Sequence, residues 1–349
     1  MRRILTFTAA ALLFSICSAY SQQSAFRETL RAKADRSIPS YKPGNELSGE
    51  LVSIDSEWMD DLMKAWIKGF STQCPNLNIR SLKRDTVGAM GVEPALTDGR
   101  IQLAPASREL MPFEIEHFKK KFGYEPLGIR VALGSYRAPD RVKAIAFYVN
   151  ENNPIKQLTL AQLDAIYCGT RKRGYKEEIW KWGQLGLTGE WAEREILPIG
   201  THQPEGTGNF LRVQMCLDGE FKQGFHNLKS APPASGLDRI VTIVSINPSA
   251  IGYGGFQNRK PGTKPVAIAE SEAGPFLSGS FEEVTSGKYP LTRFVYIYVN
   301  RPPGQSLDPK VKEFLKYVLS LDGQRAVEEE NALLPLPAIF VQQELSKLN

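Results

Sequence analysis

From Leu51 onward, short apolar runs alternate with segments of helical period. Leu51–Ile54 predicts a strand. Asp55 or Ser56 then offers an N-cap, and Trp58, Met59, Leu62, Met63, Trp66 and Phe70 recur at spacings of three and four, which predicts an amphipathic helix. Leu77–Leu82 reads as a second strand, Glu93–Thr97 as a short helix begun at Pro94, and Ile101–Leu103 as a third strand, so the order is β-α-β-α-β. A charged amphipathic helix, Phe113–Phe122, precedes two apolar strands, Leu127–Leu133 and Val142–Val149. The second closes on the turn Asn150-Glu151-Asn152-Asn153-Pro154.

Past that turn the alternation resumes. Leu158–Tyr167 is helical and Ile196–Gly200 is a strand, after which Glu205-Gly206-Thr207-Gly208 opens a helix to about Cys216. Leu237–Val244 is helical, Ile251–Gly254 a Gly-rich strand, and Pro265–Ile268 and Arg293–Val299 are strand-like. Helices Pro309–Ser320 and Gly323–Asn331 lead into a short apolar–polar tail. No repeat of fixed period appears. The fold class is α/β: two lobes, each a mostly parallel sheet flanked by helices, with a ligand crevice at the strand carboxyl ends.

The start of the chain falls outside this pattern. Arg2 and Arg3 precede an apolar run, Ile4–Ile16, too short to span a bilayer, and Ala19 and Ser21 make a small-x-small cleavage site. Residues 1–21 therefore read as a signal peptide, and a periplasmic or secreted protein is expected. Residues 22–45 end in turn-formers and predict an extended or loosely ordered leader. With 349 residues, 42% hydrophobic and 23% charged, the mature chain has ample core for two lobes. The formal net charge of +5 is spread along the chain without a basic arm, which argues against nucleic acid as a partner. Cys74, Cys168 and Cys216 remain after cleavage. The pair Cys168–Cys216, both in the middle third, is the favoured disulfide, with Cys74 free. His117, His202 and His226 are scattered and no Cys-x-x-Cys occurs, so neither a metal site nor a cofactor is expected.

Two places carry candidate chemistry. In Gly200-Thr201-His202-Gln203-Pro204-Glu205-Gly206-Thr207-Gly208 a strand delivers a polar loop into a helix start. There the free N–H groups and the helix dipole suit an oxyanion, although an ordinary capped helix would read the same way. In the first half, Ser56 and Ser107-Arg108 each follow a predicted strand. They supply either facing donors and a guanidinium fork, or two caps and a solvated arginine. A hydrolase built on His202, Glu205 and Thr207 lacks a Gly-x-Ser-x-Gly elbow or a second carboxylate at a telling spacing, so an enzyme is not expected.

Several collinear segments between about 50 and 340 together resemble the phosphate-type periplasmic substrate-binding proteins of ABC importers. They include Leu62-Met63-Lys64-Ala65-Trp66, Pro94-Ala95-Leu96-Thr97-Asp98-Gly99, Pro105-Ala106-Ser107-Arg108, Trp182-Gly183-Gln184-Leu185-Gly186, Gly206-Thr207, Ala250-Ile251-Gly252-Tyr253-Gly254 and Ser286 to Arg293. The resemblance implies a two-lobed Venus-flytrap fold. Lobe 1 would span 46–141 plus 290–349 and lobe 2 142–289, closing on a phosphate or another small anion. It implies a monomer that delivers the anion to an ABC permease. On this basis Ser56, Ser107, Gly206 and Thr207 are the expected donors, Arg108 the charge partner and Trp58 a wall.

The departures from the family pattern bear on the ligand. Aligning on Gly200 and Gly206-Thr207 places Thr201 where the family carries an arginine and Glu205 where it carries a serine, while Glu57 stands in the first loop. An ionised carboxylate about 4 Å from a phosphate repels it by on the order of several kcal/mol at intermediate dielectric, so either Arg84, Arg108 or Arg137 compensates or Glu205 is protonated and donates to the anion. The alternative expectation is the same fold with a changed or lost ligand, acting as a secreted sensor or protein-interaction module.

Overall fold

The computed structural model describes residues 31–349 apart from 45, 57, 84–91, 137–141, 202–204, 224 and 229–234. Two sheet systems are present. In the first, β1 (Gly49–Ile54) pairs in parallel with β2 (Leu77–Leu82), and a parallel bridge from Ser53 to Leu103 links β1 toward β3 (Ala104–Ala106). Next to β3 lies β12 (Phe294–Val299), antiparallel both to β3 and to β4 (Leu127–Leu133). In the second, the order is β10 (Thr263–Pro265), β5 (Ile145–Asn150), β9 (Ala250–Gly255), β7 (Leu197–Thr201), β8 (His226–Leu228), with β7 parallel to both of its neighbours. A small parallel pair, β6 (Gln157–Thr159) and β11 (Ala267–Ala269), sits apart.

The first helix, α1 (Asp60–Gln73), buries Leu62, Met63, Trp66 and Phe70, the stripe its periodicity predicts. It begins later than the N-cap expected at Asp55 or Ser56. Met59 N–H donates to Ser56 O in a preceding turn, and the Asp60 carboxylate accepts the Ser56 N–H. Then follow α2 (Val92–Thr97), α3 (Pro112–Phe122), α4 (Leu160–Tyr167), α5 (Gly206–Gln214), α6 (Gly236–Ile246) and α7 (Phe281–Thr285). The C-terminal region holds α8 (Pro309–Val318), α9 (Leu321–Glu330) and α10 (Ala338–Ser346). On α4 the N-cap Thr159 hydroxyl accepts the Gln162 N–H while the Gln162 side chain accepts the Thr159 N–H, a reciprocal cap.

Several expectations shift. The third strand is Ala104–Ala106 rather than Ile101–Leu103, because the N–H groups of Gln102 and Leu103 are both spent on Val52 O. Pro265–Ile268 divides between β10 and β11, with Val266 N–H donating to Phe147 O between them. The tail forms α10, which Arg130 anchors: its guanidinium lies between the Phe294 and Phe340 rings, at 4.9 and 4.8 Å, and pairs with Glu344. The leader is extended but, over 31–44, not loose. Ala34 N–H donates to Glu328, Tyr41 N–H to Asp322, and Tyr41 Oη to Glu313 at 2.8 Å, tying it to α8 and α9.

Cys168 and Cys216 are joined, with their Cα atoms 5.8 Å apart, and the bond links the end of α4 to the segment after α5. Cys74 is a free thiol 3.3 Å from Tyr41 Oη. Among the described residues no helix is long and apolar enough to cross a membrane.

Candidate functional site

At the carboxyl end of β7 the chain enters α5. Glu205 occupies its N-cap in extended conformation, φ −67° and ψ 144°, and its side chain makes no cap bond. The first-turn N–H groups of Gly206, Thr207 and Gly208 therefore face outward without an intrahelical acceptor, at the positive end of the helix dipole. Arg293 comes to meet them from the residue before β12. Its Nη1 lies 3.5 Å from Thr207 Oγ1 and its Nη2 donates to Gly206 O at 3.4 Å, while the guanidinium stands 4.9 Å over the Phe210 ring.

This arginine is 4% exposed, and its Nε has no hydrogen-bond partner among the described residues. Burial pulls the guanidinium down from its ordinary value and Glu109, 4.0 Å away, opposes that pull. One Glu109 oxygen accepts from Tyr296 Oη at 3.1 Å; the other, Oε2, is the one that faces Arg293, and it makes no hydrogen bond among the described residues. Burial, reinforced by Glu109, pushes the Tyr296 phenol well above its ordinary value. Among the described residues the Ser135 and Thr292 hydroxyls are also without a hydrogen bond, beside the paired crossovers where Gly134 N–H donates to Arg293 O and Ser135 N–H to Val142 O. Buried polar groups are ordinarily satisfied, so open donors gathered around one buried cation make this the candidate anion site.

The expected site residues fare differently. Gly206 and Thr207 form the cradle with Arg293. Arg108 is not a free charge: its guanidinium holds Glu114 through two bonds of 2.6 and 2.9 Å and donates to Glu109 O at 2.9 Å. Its side chain nevertheless flanks the cradle, since a Cβ at Gly206 would lie 3.4 Å from Arg108 Cδ. Thr201 is anchored within its own sheet; its N–H donates to Tyr253 Oη at 2.7 Å and its hydroxyl lies 3.1 Å from the same atom. Burial pushes that phenol up to about 12, with the nearby Glu205 charge adding to the shift. Ser56 and Ser107 are buried, but neither hydrogen-bonds to Gly206 or Thr207 among the described residues, and Trp58 is half-buried in the turn before α1. Glu57, His202, Arg84 and Arg137 lie outside the described residues.

Arg293 and Glu109 were not among the expected contacts. Arg293 lies in a segment that carries the resemblance, yet nothing in its neighbourhood shows that it meets a helix 86 residues earlier. Among the described residues the one group with metal-ligand spacing is Asp164, Cys168 and Cys216, whose sulfurs are already bonded to each other.

Two sheet systems joined by adjacent crossovers, with a buried cation at a helix start between them, define a two-lobed binding protein. A family model described as a PBP superfamily domain matches residues 43–322, and the chain belongs to that superfamily. It is 35% identical over 317 residues, 91% of this chain and 92% of the relative, to the phosphate-binding protein PstS of Pseudomonas aeruginosa. Two solved structures share the fold: PstS from Borrelia burgdorferi (19% identity, 83% of this chain and 100% of that one, TM-score 0.51) and an ABC-type phosphate transport receptor from Vibrio cholerae (20%, 82% and 100%, TM-score 0.51).

Proposed function

We propose that the chain, once exported, binds phosphate or a closely related oxyanion in the cradle of Gly206, Thr207 and Arg293, without catalysis, and passes it to an ABC permease. The observation that carries this reading is Arg293: a buried guanidinium with an Nε open among the described residues, set from the opposite sheet against a helix start to which the N-cap side chain makes no cap bond. Such a cation is costly without a counter-ion, and Glu109 supplies only part of one. The family relation to a PstS phosphate-binding protein supports the choice of phosphate. The reading includes lobes at 46–141 plus 290–349 and 142–289, a monomeric protein, and closure of one lobe on the other around the anion.

The test is calorimetric titration of mature protein, unfolded and refolded to strip bound solute, with phosphate in phosphate-free buffer. Micromolar or tighter binding is expected. Arg293→Met should weaken it by about 10- to 150-fold, the value of charged hydrogen bonds, and Thr207→Ala by roughly 2- to 13-fold. No heat from the wild type overturns the reading. If Glu205→Ser then restored binding, the second reading would follow, in which the fold is kept and the Glu205 carboxylate has changed the ligand.

A further inference from the structure

Where the seam of the two sheet systems reaches the surface, a cavity of about 350 Å³ opens between the start of α3 and the segment that follows α5. α3 packs on α2 in the first system and α5 on β7 in the second, so both supply its walls. Met111, Pro112 and Phe113 make the apolar part, and Phe113 is 52% exposed and belongs to neither apolar core. Glu116 from α3 and Glu220 from beyond α5 both line the cavity, and neither side chain has a hydrogen bond or ion pair among the described residues. The lining cation, Arg212, is spoken for: it pairs with Asp218 at 2.8 Å and donates to Asn209 Oδ1 at 3.3 Å. Next to it the chain makes a strained turn. Leu217 and Asp218 both hold left-handed backbone, φ 49° and 58°, which is costly for a leucine. The turn is fixed by the disulfide at Cys216, by Lys172 Nζ donating to the Leu217 and Asp218 carbonyls at 3.1 Å each, and by Asp218 N–H donating to Arg212 O at 3.1 Å. It leaves the Leu217 side chain 44% exposed.

An outward aromatic ring on one side of the seam, a leucine held outward at the cost of strain on the other, and two unneutralised carboxylates in one cavity are the features of a docking surface. Resting on the delivery reading above, we propose that this surface is where the ABC permease docks, and that the cavity receives a lysine or arginine from an extramembrane segment of the permease. Its cationic head lies between Glu116 and Glu220, where two like charges facing one space favour a cation, and its alkyl stem runs along Pro112 and Phe113. One carboxylate comes from each sheet system, so the pair is assembled only when the lobes are closed. That is what a partner that must tell loaded protein from empty requires, and it favours the permease over a second copy of this chain.

The experiment measures binding of full mature protein to the source organism's phosphate permease–ATPase complex in lipid nanodiscs, by interferometry with and without saturating phosphate, alongside phosphate calorimetry on every variant. Glu116→Lys, Glu220→Lys and Phe113→Ser should each leave phosphate affinity unchanged and raise the Kd for the nanodiscs by at least about 10-fold, and the two charge reversals should flatten its dependence on salt. Asp61→Lys, an equal change of net charge on the exposed face of α1, should do neither. Empty wild type should bind at least about 10-fold more weakly than loaded. Wild-type nanodisc affinity in all three variants, or an equal loss in Asp61→Lys, overturns this inference and leaves the oxyanion reading standing. Equal binding of loaded and empty protein overturns the dependence on closure. A dimer of the loaded protein in sedimentation that Glu116→Lys abolishes assigns the surface to a second copy and overturns the permease as occupant. No phosphate heat from the wild type overturns the oxyanion reading itself.

Discussion

Glu114→Gln is the most informative single change, because it removes one charge from a buried pair and keeps the shape. Arg108 and Glu114 side chains are 7% and 2% exposed, and Glu114 also accepts the Met111 N–H at 2.6 Å at the start of α3. A glutamine retains one acceptor oxygen for that N–H, so the loss is chiefly electrostatic. Removing one partner of a buried pair costs about 3–5 kcal/mol, since the other charge is left uncompensated. Arg108 runs alongside Gly206, so the freed guanidinium stands next to the proposed anion cradle. Bound phosphate would then gain a charged hydrogen bond worth about 1.5–3 kcal/mol that the wild type cannot make. Urea unfolding without phosphate should show the full loss. At saturating phosphate, where ligand at 1,000 times its Kd already adds about 4 kcal/mol to the wild type, the gap between the two proteins should narrow by that further 1.5–3 kcal/mol. A loss below about 1 kcal/mol without ligand refutes the cost assigned to the pair. An identical gap with and without phosphate refutes the idea that Arg108 can reach the anion.

Two further outcomes are expected away from the site. The Cys168–Cys216 bond closes a loop with a sequence separation of 48, worth about 4 kcal/mol of unfolded-state entropy, so the double Ala variant should lose stability of that order by urea titration; a loss under about 1 kcal/mol would show that the bond constrains little. Burial pulls Lys222 down to about 8 from 10.5, beneath the Trp180 ring and against Ile179 O. Between those two values the unfolded chain holds a proton that the native protein does not, so stability rises with pH there by up to about 1.4 kcal/mol per unit. Lys222→Met should lack that rise when its pH profile is subtracted from the wild type, and parallel profiles would count against the shift.

What the sequence makes legible follows the range of the forces involved. The stripe Leu62, Met63, Trp66, Phe70 is a local pattern, and α1 buries those four side chains because periodicity and burial are one fact seen twice. The same holds for Thr159 and Gln162 at the start of α4. Elements held by distant partners leave no local signature: α10 depends on Arg130, 214 residues before the Glu344 it pairs with, and the leader depends on carboxylates of α8 and α9. The site divides along the same line. Gly206 and Thr207 are visible because a helix start creates free N–H groups from local geometry alone. Charge assignment is not local. Arg108 looks available beside a strand end, yet Glu114, six residues on, consumes it, while Arg293 looks like the first residue of a strand and becomes the cation of the cradle. A buried guanidinium is defined by which carboxylate reaches it first, and that depends on how β12 is threaded between β3 and β4. On the proposed reading, local pattern points to the anion's backbone donors, while long-range packing decides its counter-ion. For a binding protein the second matters more, because on that reading the arrangement of charges, here Arg108, Arg293 and Glu109, decides which anion is held.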